Sequence, residues 1–146
     1  MLVIDSSVAA KWVIGEVEPE PDAAAALALL SETLIAPDFM MAEFANVVWK
    51  KVRRGEIGAG QARDALVALP EMVSFLPTAP YVAHALDMGL ALDHPVYDCI
   101  FLALAYEQHT VVVTADLRLL NRCADTPYSH LARDLMAAGK DFGTAS

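Results

Sequence analysis

Within its first five positions the chain runs Leu2-Val3-Ile4-Asp5, three branched apolar residues ending in a carboxylate, with Ser6 and Ser7 directly after. A short run with no polar alternation suits a strand buried on both faces, as in a parallel sheet covered by helices. The Asp-Ser-Ser-Val-Ala-Ala that follows suits a strand handing over to a helix, with Asp5 or Ser6 as its cap. In an open α/β sheet, chemistry gathers in the crevice outside the carboxyl ends of the strands, and Asp5 stands at that edge. Taken alone, Asp5 reads equally well as a helix cap.

Alternating helices and strands continue along the chain. A short helix is expected over Ser6 to Ile14, a loop over Gly15 to Pro21 and an Ala- and Leu-rich helix over Asp22 to Glu32. Leu34-Ile35-Ala36, stopped by Pro37, reads as a short edge strand. Pro37-Asp38 opens a long helix running to about Arg54 and closed by Gly55, with Met40, Phe44, Val47 and Val48 as its apolar stripe. Glu43 flanks that stripe, and Asn46 follows on the same side. A carboxylate there must reach solvent, a partner or a cation.

A further helix is expected from Gly58 to Leu69, ended by Pro70, then a strand over Val73 to Leu76. The helix Thr78 to Leu92 is expected to turn Val82, Ala85, Leu86 and Gly89 inward. After the turn Asp93-His94-Pro95, Val96 to Tyr106 is apolar on every side and reads as the central helix, with Asp98 in its first turn. His94 beside Asp93 lacks a second histidine at ligand spacing. Thr110 to Val113 is the clearest strand after the first and leads through Thr114 to a second strand-end carboxylate, Asp116, which caps a helix over Leu117 to Cys123. Ser129 to Leu131 is expected as a last edge strand, with a frayed tail after about residue 132.

These units predict an α/β chain, one domain over residues 1–146, built on a parallel sheet of four to five strands flanked by helices. A length of 146 residues, with 56% hydrophobic and 20% charged residues, suits one well-buried core. No apolar run is long enough to predict a membrane span. Cys99 and Cys123 fit reduced thiols of a cytoplasmic protein. A net charge of −9 argues against a broadly basic nucleic-acid surface, but not against a local one. Lys11, Lys50, Arg53, Arg118 and Arg122 are the candidate contacts to a phosphate backbone, although the cations ending the helix after Glu43 also suit its dipole.

Asp5 and Asp116 at strand ends, Asp98 at a helix start facing the same edge and Glu43 nearby place like charges close together, which repel and raise one another's pKa. A site that keeps them ionised usually holds a cation, and hard oxygen donors favour Mg²⁺ or Mn²⁺. With no Gly-rich phosphate loop and no serine or cysteine nucleophile paired with histidine, metal-assisted phosphodiester hydrolysis is the chemistry these residues suit best.

Val-Ile-Asp5-Ser-Ser7, Ala-Glu43-Phe-Ala-Asn46-Val-Val-Trp49, Tyr97-Asp98-Cys-Ile-Phe-Leu-Ala-Leu-Ala105 and Val-Thr114-Ala-Asp116-Leu117 resemble, in this order, the blocks of PIN domains. More narrowly, they resemble VapC-type ribonuclease toxins of bacterial toxin–antitoxin pairs. The resemblance spans Leu2 to about Asn121. It implies a Mg²⁺- or Mn²⁺-dependent endoribonuclease with Asp5, Glu43, Asp98 and Asp116 as its acidic quartet. Asp5, Asp98 and Asp116 would be direct or water-mediated ligands, and Glu43 would hold a second ion or orient the attacking water. Ser6 and Thr114 would support the acids, and Asn46 matches a polar position one turn after the glutamate. Asn121 stands near where some members carry another acid. The resemblance also implies a homodimer and a small antitoxin whose tail enters the site.

Two other readings remain open. One is a PIN-like module that binds without catalysis. The other is an acidic phosphohydrolase or receiver domain, but Ser7 stands where a haloacid-type phosphatase needs its second aspartate, and no late strand-end lysine suits a receiver.

Overall fold

The first strand, β1 (Leu2–Ile4), is buried along its whole length and lies at the centre of a five-stranded parallel sheet of order β3-β2-β1-β4-β5. The other strands are β2 (Leu34–Pro37), β3 (Ser74–Leu76), β4 (Val112–Thr114) and β5 (Ala132–Asp134). Val3 is in register with Ile35 on one side and Val112 on the other. A strand with neighbours on both edges and helices over the sheet has no solvent-facing side, so the unbroken apolar run is what this position requires. The structure, a computed structural model, describes residues 1–13 and 21–143.

Eight α-helices among the described residues pack around the sheet: α1 (Ser6–Ala9), α2 (Ala23–Ala28), α3 (Met40–Arg53), α4 (Ala59–Met72), α5 (Val82–Leu92), α6 (Val96–Glu107), α7 (Leu117–Cys123) and α8 (Leu135–Gly143). Helix α6 is the central one: Cys99 to Ala105 are all buried, and it packs against β1, β2 and β4. Phe39, just before α3, packs on Phe101 of α6 with ring centroids 5.3 Å apart. With Tyr97 in the first turn of α6 at 6.5 Å from the same ring, Phe39 pins the start of α3 beside the first half of α6. No single helix among the described residues is long and apolar enough to cross a membrane.

Several expectations need correction. β2 is an interior strand, not an edge, because Pro37 occupies its last position and Asp38 N–H carries the pairing onward to the Leu76 carbonyl at 2.8 Å. Helix α4 continues through Pro70 to Met72, because only the last turn has to do without the proline's N–H. In α5 it is Ala85, Met88, Gly89 and Leu92 that are buried, while Val82 and Leu86 are exposed. Ser129–Leu131 is a 3-10 turn, and the last strand follows it at Ala132–Asp134.

The chain after residue 132 is not frayed through its described part. Leu135 and Ala138 of α8 are buried, and the helix packs on α2. Gly139 allows that approach: a Cβ there would stand 2.4 Å from the Ala25 Cβ. The first helix is shorter than expected, since α1 passes into a 3-10 turn over Ala10–Trp12. Its expected end at Ile14 and positions 15–20 of the expected loop lie outside the described residues.

Candidate active site

Asp5 leaves the end of β1 and caps α1. Its Oδ1 accepts from the backbone N–H groups of Ser7 at 3.1 Å and Val8 at 3.3 Å, and from the Ser7 hydroxyl. Its Oδ2 accepts from the Thr114 hydroxyl at the end of β4. Only 8% of Asp5 is exposed, and Thr114 is fully buried. Burial pushes the Asp5 carboxyl up to about 6; the bonds from Ser7, Thr114 and Val8 oppose this, and the charge of Asp98 adds to it.

Glu43 stands in the first turn of α3, where β2 delivers the chain to the same sheet edge, and its Oε1 accepts from the Ser6 hydroxyl at 3.0 Å. Burial pushes it up to about 7, against the Ser6 bond and with help from the charges of Asp98 and Asp5. Asp98, in the first turn of α6, is about one-third exposed and bonds through Oδ2 to His94 Nε2 at 2.7 Å. Asp5, Glu43 and Asp98 therefore share one electrostatic neighbourhood, each raising the cost of charge on another.

The Asp116 backbone is fixed beside Asp5 through Thr114, whose hydroxyl accepts from the Asp116 N–H at 3.0 Å while donating to Asp5. The Asp116 carboxylate, however, is turned to Arg118 and contacts none of the other three acids. Asp116 caps α7 by accepting from the Arg118 N–H at 2.9 Å. One buried hydroxyl thus ties together the ends of β1 and β4 and the start of α7. The supporting roles expected of Ser6 and Thr114 divide in two, Thr114 holding Asp5 and Ser6 holding Glu43. Asn46 is exposed one turn after Glu43 and makes no hydrogen bond to the acids.

Two residues at the site were not singled out from the sequence. Ser7 donates to Asp5, accepts from the Ala115 N–H at 2.9 Å and lies 3.3 Å from the Thr114 hydroxyl, so it braces the same corner. Its signal was only its place two residues after a capping acid, a position from which a hydroxyl can reach back. His94 was set aside for want of a second histidine, yet its four-residue spacing to Asp98 is the signal that matters.

Beside Asp98 a cleft of about 430 Å³ is lined by Asp93, His94, Pro95, Arg118, Asn121 and Arg122. Arg118 and Arg122 sit one turn apart on α7, and Arg118 is 90% exposed, its Nε 4.0 Å from Asp116. The other basic candidates lie elsewhere. Lys11 pairs with Asp22 at 3.4 Å. Lys50 and Arg53 lie seven and ten positions beyond Glu43, roughly 10 and 15 Å along α3. There they line a separate cleft with Trp49 and Arg54, and the Arg53 guanidinium sits 5.3 Å over the Trp49 ring.

An all-oxygen carboxylate set suits a hard divalent cation. Both Asp5 oxygens already accept hydrogen bonds, yet Oδ2 has a single donor and retains a lone pair for a further partner. Among the described residues no three acid, histidine or cysteine side chains close tightly on one point. Separate hydroxyls hold the acids, Thr114 on Asp5 and Ser6 on Glu43, against the mutual repulsion of their charges.

Against known proteins, the PIN domain family model matches residues 2–125. Ribonuclease VapC3 from Pyrobaculum aerophilum is 33% identical over 125 residues, covering 83% of this chain and 93% of that protein. The crystal structure of PAE2754 from Pyrobaculum aerophilum superimposes with a TM-score of 0.74 over 97% of this chain and 94% of the other, at 18% identity, which supports the fold alone. By a family match over most of its length and a curated relative above 30% identity, this chain is a member of the PIN domain family.

Proposed function

We propose that the protein is a divalent-metal-dependent endoribonuclease acting as the toxin of a toxin–antitoxin pair. The observation that carries this reading is the shared neighbourhood of Asp5, Glu43 and Asp98 at the carboxyl edge of a parallel sheet, with the Asp116 backbone fixed nearby by Thr114. The relative named Ribonuclease VapC3 supports the same activity.

Asp5, Asp98 and Asp116 would hold Mg²⁺ or Mn²⁺, with Glu43 available to a second ion. When bound, the metal supplies charge neutralisation at the scissile phosphodiester and an activated water. Glu43, tied through Oε1 to Ser6, would serve as the base that takes a proton from the attacking water. Arg118 and Arg122 offer cations to the neighbouring phosphates beside Asp98, so an acidic protein gains a local basic wall where RNA would lie. Arg118→Ala should weaken RNA binding and flatten its dependence on salt.

A small antitoxin would block the site from the same cleft. The exposed Val82, Leu86 and Leu90, four residues apart along α5, suit the homodimer we propose. The two buried free thiols suit the cytoplasm as its compartment.

The test is incubation of purified protein with a mixed cellular RNA pool in Mg²⁺, in Mn²⁺ and in EDTA, beside Asp5→Asn and Asp98→Asn, with metal binding measured in parallel. Discrete products that need metal and vanish in both folded variants are expected. Products that persist in EDTA would refute the metal requirement. Neither cleavage nor metal binding would favour a PIN-fold binding module.

A further inference from the structure

We infer that His94 is a positioning residue that fixes the carboxylate of Asp98 and so sets the affinity of the acidic site for its cation. This inference rests on the metal-dependent reading proposed above.

The ring of His94 is 7% exposed, and its Nε2 lies 2.7 Å from Asp98 Oδ2. An ionised carboxylate has only acceptors, so the proton in this bond belongs to Nε2. A donor on Oδ2 restrains rotation of the carboxylate and leaves Oδ1 as the oxygen not engaged by His94. Carboxylates that ligate metals are themselves commonly hydrogen-bonded in this way.

The segment carrying His94 is held from several directions. Asp93 takes a left-handed φ of 50°, turning the chain sharply out of α5. The His94 N–H then donates to the Gly89 carbonyl at 3.1 Å. The His94 carbonyl lies so close above Gly89 that a Cβ there would meet it at 2.9 Å. Helix α6 has no side-chain cap at its start, so the buried ring directs its bond to the acid and not to the helix backbone. Such anchoring exceeds what a surface i, i+4 pair needs, and it delivers the ring to one of the site's acids.

The decisive comparison is His94→Gln, which keeps an N–H donor, against His94→Met, which fills similar space without one. Mn²⁺ binding is measured on RNA-free protein by electron paramagnetic resonance, alongside melting temperature and the kcat and KM of RNA cleavage. His94→Met should weaken Mn²⁺ binding about tenfold or more and lower kcat with little change in KM. His94→Gln should recover most of the binding. In an Asp98→Asn background the two variants should bind Mn²⁺ alike, because the carboxylate that His94 positions is gone.

Parent-like Mn²⁺ affinity in His94→Met, with only the melting temperature reduced, would overturn the inference and assign His94 a purely structural role. A difference between the two variants that persists beside Asp98→Asn would overturn it as well. A parent that neither binds Mn²⁺ nor cleaves RNA would remove the ribonuclease reading and this inference with it. A parent that does both while His94→Met matches it would remove only this one.

Discussion

Two corners of the acidic site hold their carboxylates in opposite ways. At the β1 corner, Asp5 is buried and receives four hydrogen bonds, from Ser7 N–H, the Ser7 hydroxyl, Val8 N–H and the Thr114 hydroxyl. At the α6 corner, Asp98 is partly exposed and bonded to His94, beside a cleft walled by arginines. The first corner gains fixed geometry at the expense of desolvation, which raises the Asp5 pKa. The second keeps its charge closer to water and depends on one donor for its orientation. The difference separates a structural anchor from a group open to an incoming polyanion.

The largest effects should come from removing either charge. Asp5→Asn and Asp98→Asn should each lower cleavage by more than the roughly 10–100-fold typical of losing a supporting group. Their stabilities should diverge. At neutral pH without metal, Asp5→Asn removes a poorly solvated charge and should raise the melting temperature, while Asp98→Asn should leave it nearly unchanged. Thermal scans of both variants in EDTA check this, and equal shifts would erase the distinction between the corners.

Next in size is Thr114→Val, which is nearly isosteric but leaves Asp5 Oδ2 buried without its donor. A loss of about 1–3 kcal/mol is expected from urea unfolding, together with weaker Mn²⁺ binding.

The pH dependence follows from the raised carboxyls. Asp5 moves from 3.8 to about 6 and Glu43 from 4.5 to about 7, so between roughly pH 4 and pH 7 the folded chain holds more protons than the unfolded one. Their contribution to stability is present in full below the unfolded values and is lost as pH rises through the folded ones. The metal-free melting temperature should therefore rise as pH falls from 8 towards 5, and Asp5→Asn should flatten part of that slope. The smallest effect belongs far from both corners. Gly139→Ala should destabilise the α2–α8 contact by about 1 kcal/mol or more, visible in the melting temperature, while Mn²⁺ binding stays that of the parent.

Much of this arrangement was legible because burial leaves a strong mark on composition. Leu2–Ile4 of β1, Val111–Val113 leading into β4 and Cys99–Ala105 of α6 are unbroken apolar runs, and the three aspartates lie just after a strand or in the first turn or cap of a helix. Elements whose pattern is ambiguous were harder. Helix α5 is apolar nearly throughout, so its sequence does not reveal which side faces inward, and Val82 and Leu86 turned out exposed. Helix α8 carries a stripe of Leu135, Ala138, Gly139 and Phe142 toward the core, but small residues fill half of it, so it reads weakly. At the site, the roles of Ser7 and Thr114 depend on partners more than 100 positions away, beyond the reach of any local motif. His94 differs, because its partner lies within one helical turn.

The bond between Thr114 and Asp5 joins residues 109 positions apart and closes the central strand onto a distant neighbour. β1 has one parallel neighbour early in the chain and must wait for β4 to gain the other. Loop closure over such a span is slow relative to local helix formation. An acidic site assembled from both ends of that span stays incomplete while the chain is being synthesised. For the ribonuclease proposed above, cleavage must wait until that long-range closure has been made.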